Sequence, residues 1–270
     1  MTVEYSGAGG DPDRILRMLW RRTRPTDTEA TDRPARGRRP KLTLDAVVTA
    51  AIALADEEGL PAMSMSRVAA ALGVATMTLY TYVPSKAELI DLMVDEVFEE
   101  RALPAPGEPR PTGWRAQVEL FAERTRAMHR RHPWLRHISA VRPPIGPGML
   151  AEREYVLSTL TGTGLSGQQI DVAAIAVTTF VHATAGIEVD SAHVEHDTQQ
   201  SHEAWWQERE SLWKDYFDVE RYPTMTRIWN SGGFDKGISE STRAAHEFGF
   251  DRLLDGIQVS IDQAGGAASR

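Results

Sequence analysis

Apolar residues recur at spacings of three and four through most of this chain, and the alternation of a strand persists nowhere, so the pattern predicts helices throughout. Residues 42–58 carry the first complete stripe, Leu44, Val47, Val48, Ala51, Leu54 and Ala55, with Thr43 placed to cap its start and Gly59 to end it. A shorter pattern over Met65, Val68, Ala69 and Leu72 stops at Gly73, where a left-handed helix-ending conformation costs glycine little. A turn through Val74 and Ala75 leads into a third, whose inward residues are Leu79 and Val83 and which Pro84 terminates. Two short helices meeting at a glycine with this spacing predict a helix-turn-helix that reads DNA. Its second helix leaves Thr76, Met77, Thr78, Tyr80, Thr81 and Tyr82 outward. Ser85 to Glu88 then reads S-x-x-E, a capping box that opens a helix with Leu89, Ile90, Leu92, Met93, Val97 and Phe98 on its buried side.

The stretch from Leu44 to Val97, and above all LGVATMTLYTYVPSK within it, resembles the TetR family of bacterial transcriptional repressors across residues 42–100. Farther along, HPWL at 132–135, PPIGPGML at 143–150 and FGFDRLLDGI at 248–257 are similar to the ligand-binding domain of tetracycline-repressor-like members. The resemblance implies an all-α fold, with a helix-turn-helix DNA-binding domain followed by a larger helical domain for ligand binding and dimerisation. It also implies a ligand-responsive regulator, in most such proteins a repressor, that binds an inverted-repeat operator on double-stranded DNA as a homodimer. A small hydrophobic or aromatic effector would release it. On this reading Thr76, Met77, Thr78, Tyr80 and Tyr82 match positions that touch bases and phosphates, and Lys86 adds charge at the next helix start. Tyr82 would serve equally well as a packing residue. Ser66 stands where relatives often carry a basic base-reading residue. The recognition helix has no arginine, so bidentate reading of guanine is closed to it.

Charge changes the picture once it is divided along the chain. The total is −8, yet residues 1–41 carry ten Lys or Arg against six Asp or Glu. Residues 33–41, RPARGRRPK, hold five basic residues and no acid, which predicts a flexible basic arm over 1–41 that lays Arg36, Arg38 and Arg39 on phosphates or in a minor groove. A short basic amphipathic helix is expected near Ile15 to Trp20, with its role open. The DNA-binding domain then spans 42–100 and the larger domain 108–270.

In the larger domain two helices, 168–194 and 241–263, are apolar over more of their circumference than packing in a monomer requires, so they are expected to pair two copies. Ala176 and Ala183 permit close approach there, and Phe248, Phe250, Leu253, Leu254 and Ile257 supply bulk. Five of the seven tryptophans follow residue 130, and candidate pocket residues are Met128, Trp134, His137, Phe180, His182, Trp205, Trp206 and Trp213. Each also suits an ordinary helical core.

Other chemistry is thinly supported. No cysteine occurs, which excludes disulfides, thiol nucleophiles and thiolate metal sites. His193, Glu195 and His196 lack the i, i+4 spacing that aims two imidazoles at one metal, and no cofactor is expected. A helical enzyme using Glu188, Asp190 and His193 lacks any nucleophile motif or phosphate loop. A ligand-independent architectural DNA protein is the remaining alternative. The start of the chain does not read as a secretion signal, and the apolar run 172–189 reads as a buried helix and not as a membrane span, so a cytoplasmic protein is expected.

Overall fold

A computed structural model describes residue 5, residue 7 and residues 10–23, 42–139 and 141–268. Eleven α-helices account for these residues, and among them no strand occurs. The helices are α1 (Pro12–Leu19), α2 (Leu44–Glu58), α3 (Met65–Ala71), α4 (Thr76–Tyr80), α5 (Lys86–Glu99), α6 (Trp114–Arg131), α7 (Pro147–Leu160), α8 (Gly167–Thr198), α9 (His202–Gln207), α10 (Pro223–Asn230) and α11 (Ile238–Ala268). A 3-10 turn, Pro133–His137, follows α6, and a π-helical turn, Leu212–Tyr216, follows α9.

Local chemistry sets the first boundaries. The hydroxyls of Thr43, Ser64 and Ser85 each accept a backbone N–H from the first turn of α2, α3 and α5. Gly59 and Gly73 take positive φ, +84° and +67°, at the two chain reversals the sequence assigned to them. Ser85 caps as expected, but Glu88 does not complete a capping box. Its carboxylate bonds the Ser85 hydroxyl and Arg14 instead. A full capping box forms at Ser166 and Gln169, at the start of α8.

Two cores result. One gathers α2 to α5 around Val47, Val68, Leu79, Val83, Leu89 and Met93. It also takes in Met128, Trp134 and Leu135 from beyond residue 100, and Leu19 from α1. The other joins α6, α7, α8 and α11 around Phe121, Tyr155, Val156, Val177, Val181 and Leu254. The division at 100 is therefore one of chain order, because the first core is closed by residues of the second domain.

Residues 10–23 correct the expectation of a flexible arm for their part of 1–41. They form α1 and its C-terminal turn, docked on α5 with Ile15, Met18 and Trp20 against the first core. Arg36, Arg38 and Arg39 lie outside the described residues.

The expected pairing face needs a second correction. Phe250, Leu254 and Ile257 are buried within this chain's own core and Leu253 is half-buried against it. Their periodicity reports packing of α11 on α6 and α8, which helical spacing alone cannot separate from packing on another copy. Ala176 is half-buried, Ala183 is exposed, and Phe248 is 66% exposed. By length and composition α8 could cross a membrane, but Ala174, Val177, Val181 and Ala185 pack it into the helical core. Its other face shows Val172, Ile175, Ile187 and Val194 to the surroundings.

Candidate functional site: nucleic-acid interface and ligand cavity

The outer face of α4 follows from burial of a single residue. Leu79 is fully buried, which fixes the rotation of this five-residue helix. Met77 and Tyr80 are then exposed by 74% and 41%, and Thr78 beside them is exposed as well. Thr76 and Tyr82 are half-buried, and the Tyr82 ring packs on the first core. Met77, Thr78 and Tyr80 thus present a thioether, a hydroxyl and a phenol on one uncharged surface, suited to thymine methyls and phosphate oxygens.

Cations near this surface are already engaged. Arg67 pairs with Glu58 and donates to the Ala62 carbonyl at 3.3 Å. Lys86 donates to the Leu60 carbonyl at 3.3 Å and so ties α5 to the end of α2. Ser66 is exposed and meets only the Ser64 hydroxyl, at 3.1 Å.

Behind α4, helix α5 runs to a buried polar array at the junction of the domains. Arg101, just past α5, pairs with Glu152 of α7 and donates to Thr125 Oγ1 at 3.2 Å. Glu152 also meets His182 Nε2 of α8 at 3.0 Å, and His182 Nδ1 meets His129 Nε2 of α6 at 3.0 Å. Burial resists charge on Glu152, but His182 and Arg101 outweigh it and hold the carboxyl at about 2. His129 is pushed down to about 3, first by burial and then by its neighbours His182 and Arg101, so it is neutral. A second group lies beside it. His132 bridges Asp56 of α2 at 2.8 Å and Glu100 at 3.1 Å, and Trp134 Nε1 donates to Asp56 at 2.7 Å.

A third contact joins α5 to α7. Asp95 accepts the Met149 N–H at 3.1 Å and so caps the start of α7. Burial raises its pKa to about 6, Glu99 adding to the rise while the Met149 and Gly148 backbone groups and Arg21 oppose it. Between pH 6 and 4 the native state therefore gains a proton on Asp95 that the unfolded chain does not, while His129 does the reverse. These two contributions oppose one another across that interval. Asp95→Asn keeps an acceptor for Met149 but removes one term. Its stability should fall by ~1.4 kcal/mol per pH unit on acidification from 6 to 4, relative to the native chain. Denaturant melts at three pH values read this directly, and parallel profiles would show that Asp95 is charged throughout.

A cavity of about 710 Å³ lies among α6, α8, α9 and the start of α11. Phe180, Ile187, Val194 and Ile238 give it apolar walls, Thr184, Ser191, Ser239 and Thr242 give hydroxyls, and Arg126, Arg130, Arg243, Glu188 and Asp190 give charge. His246 Nδ1, on the same wall, is buried without a hydrogen-bond partner.

Of the eight pocket candidates, only Phe180 lines this cavity. Met128 and Trp134 are buried in the first core, His182 belongs to the buried array, and His137 lies beside Tyr5, whose backbone N–H its carbonyl accepts at 3.3 Å. Trp205 and Trp206 sit on α9 at 40% exposure each, and Trp213 packs with Phe217 and Trp229 in an exposed aromatic group. The polar lining was missed because pairs such as Arg126 and Arg130, or Thr242 and His246, read as solvated helix faces until tertiary packing turns them toward one another. His193 pairs with Asp197, and among the described residues no cluster of three or more ligands suits a metal.

Comparison with known proteins gives the following. Residues 47–93 match the model described as bacterial regulatory proteins, tetR family, and residues 104–261 match the tetracyclin repressor-like C-terminal domain. The chain is 36% identical to the HTH-type transcriptional repressor DrrR1 of Streptomyces coeruleorubidus, over 99% of this chain and 93% of that one. It is 33% identical to an HTH-type transcriptional regulator of Saccharopolyspora erythraea, over 56% of this chain and 62% of that one. Among solved structures it is similar to ActR of Streptomyces coelicolor in complex with actinorhodin. The TM-score is 0.66 at 25% identity, covering 82% of this chain and 98% of ActR.

Proposed function

This chain belongs to the TetR family of bacterial regulatory proteins and is a ligand-responsive transcriptional repressor, and we propose that it binds an inverted-repeat operator as a homodimer. The observation that carries the reading is the uncharged face of α4, with Met77, Thr78 and Tyr80 outward over a buried Leu79. Pairing through the exposed apolar faces of α8 and α11 would set two such helices on one side of the duplex. Arg36, Arg38 and Arg39 supply the phosphate charge that Arg67 and Lys86, both engaged within the fold, do not.

The effector is a flat, aromatic small molecule bearing hydroxyl or ionisable groups. Phe180 and the aliphatic walls would take its rings, and the hydroxyls, Arg126 and His246 its polar edge. ActR, crystallised with actinorhodin, supports a ligand of this class. Occupying the cavity shifts α6 and α8, and the buried array passes the shift to α5 and so to α4. Such coupling is typically worth ~1–3 kcal/mol.

Selection of genomic fragments by purified protein, followed by footprinting, tests the reading. A protected inverted repeat supports it, and uniform weak retention of all fragments overturns it. On the selected fragment, Tyr80→Phe is expected to weaken binding by about 1 kcal/mol, roughly fivefold in Kd, through loss of one hydroxyl contact. Tyr82→Phe should leave Kd unchanged.

A further inference from the structure

Among the described residues, Arg14, Arg21 and Arg22 near the N-terminus are spent on the protein itself. Arg21 meets Asp45 of α2 at 2.6 Å and Glu96 of α5 at 3.3 Å. Arg22 meets Asp45 at 2.8 Å, Glu96 at 2.9 Å and Glu99 at 3.6 Å. Arg14 pairs at 2.9 Å with Glu88, whose side chain is only 5% exposed. The Tyr5 hydroxyl donates to the Ala87 carbonyl at 2.6 Å and lies 3.0 Å from Asp91 Oδ1.

The same segment also grips the other domain. Tyr5 pairs by backbone with the strip after the 3-10 turn, accepting the Ser139 N–H at 2.9 Å. Trp20 Nε1 donates to the Ile145 carbonyl at 3.0 Å, in the loop that leads into α7. One short piece of chain therefore ties the α2/α5 face of the DNA-binding domain to the α7 entrance of the ligand domain.

We propose that Tyr5 and residues 10–23 form a clasp that holds the DNA-binding domain at one angle to the ligand domain, with Arg21 and Arg22 as its positioning residues. The inference rests on the reading that this angle governs operator binding. Asp45, Glu96 and Glu99 lie on two helices of the DNA-binding domain, and without a counter-charge they repel one another where α2 and α5 meet. Two guanidiniums shared among three carboxylates offset that repulsion and fix the helices to α1, which Trp20 anchors across the hinge. Because most of these charges are partly exposed, the clasp is expected to loosen as salt rises.

The absence of cysteine makes a direct test possible. Glu57→Cys on α2 and Glu119→Cys on α6, both at exposed positions, give one spin-label pair across the hinge in the full chain. Labelled protein diluted into unlabelled protein reports the distance within one protomer. The native clasp should give a narrow distribution at low salt that broadens in molar salt. Arg21→Ala with Arg22→Ala should be broad at low salt already, with an unchanged melting curve for helix content. Arg22→Glu should broaden it too, and adding Glu96→Arg should restore the narrow form, as a merely structural role for Arg22 would not. A narrow distribution in the double alanine variant overturns the clasp.

That readout needs neither DNA nor effector, so it stands or falls separately from the operator reading. Once an operator is in hand, the double alanine variant should bind it about five- to tenfold more weakly, because the competent angle is less populated. At salt low enough for the native distance distribution to stay narrow, the slope of log affinity against log salt should not change. A slope flattened by ~0.9 per arginine would mean that these side chains grip phosphates, and would overturn the proposal.

Discussion

Glu152→Leu is expected to destabilise the protein by about 3–5 kcal/mol, since it strands a buried cation. The Arg101 side chain is 1% exposed, and without Glu152 it keeps only the Thr125 hydroxyl and Phe98 carbonyl, each at 3.2 Å, and the face of the Phe98 ring. Its Nη2 already lacks a hydrogen-bond partner, so the site has no spare acceptor to offer. His182 would lose its Nε2 partner at the same time. Arg101→Met combined with Glu152→Leu should recover most of the loss, because two matched apolar groups leave no charge behind. Urea unfolding of the single and double variants measures both numbers. A single-variant cost below about 1 kcal/mol would mean that water reaches Arg101.

Gly148→Ala should do less to stability and more to function. Helix α7 starts against α5 so closely that a Cβ on Gly148 would collide with the Asp95 carbonyl oxygen and lie 3.0 Å from Phe98 Cβ and 3.1 Å from Glu99 N. These are α5 atoms, mostly backbone, so the two helices must separate, at a cost of about 1–3 kcal/mol. Asp95 would then lose its cap on Met149, and the angle of α5 would change at its contact with the ligand domain. Operator affinity should fall at least tenfold while the melting transition stays cooperative. An unchanged operator affinity would show that the α5–α7 crossing does not set the position of α4.

How much of this was legible in the sequence depended on whether the information was local. Four boundaries in the DNA-binding domain, the caps at Thr43 and Ser85 and the turns at Gly59 and Gly73, each rest on one or two residues whose local backbone chemistry is decisive. The rotation of α4 was equally readable, because Leu79 is its one branched aliphatic residue. The cavity was not, since only Phe180 of its candidates lies there. Its wall is made of arginines, hydroxyls and carboxylates that look solvated on each helix taken alone. Tryptophans drew attention by size, yet Trp134 is consumed by Asp56 and the first core. The role of the basic helix near the N-terminus was open in the sequence, because the carboxylate partners of Arg14, Arg21 and Arg22 stand on helices distant in sequence.

The sharing of the first core between domains also bears on how the chain is made. Trp134 and Leu135 pack against α2 and belong to the same hydrophobic cluster as Leu79, so part of that cluster is synthesised after α2 to α5. A nascent chain that has passed Glu99 carries all of α2 to α5 but lacks that part. N-terminal domains usually complete folding as they emerge from the ribosome. Here part of the first core comes from Trp134 and Leu135, so the DNA-binding domain lacks those packing partners until the start of the ligand domain has emerged.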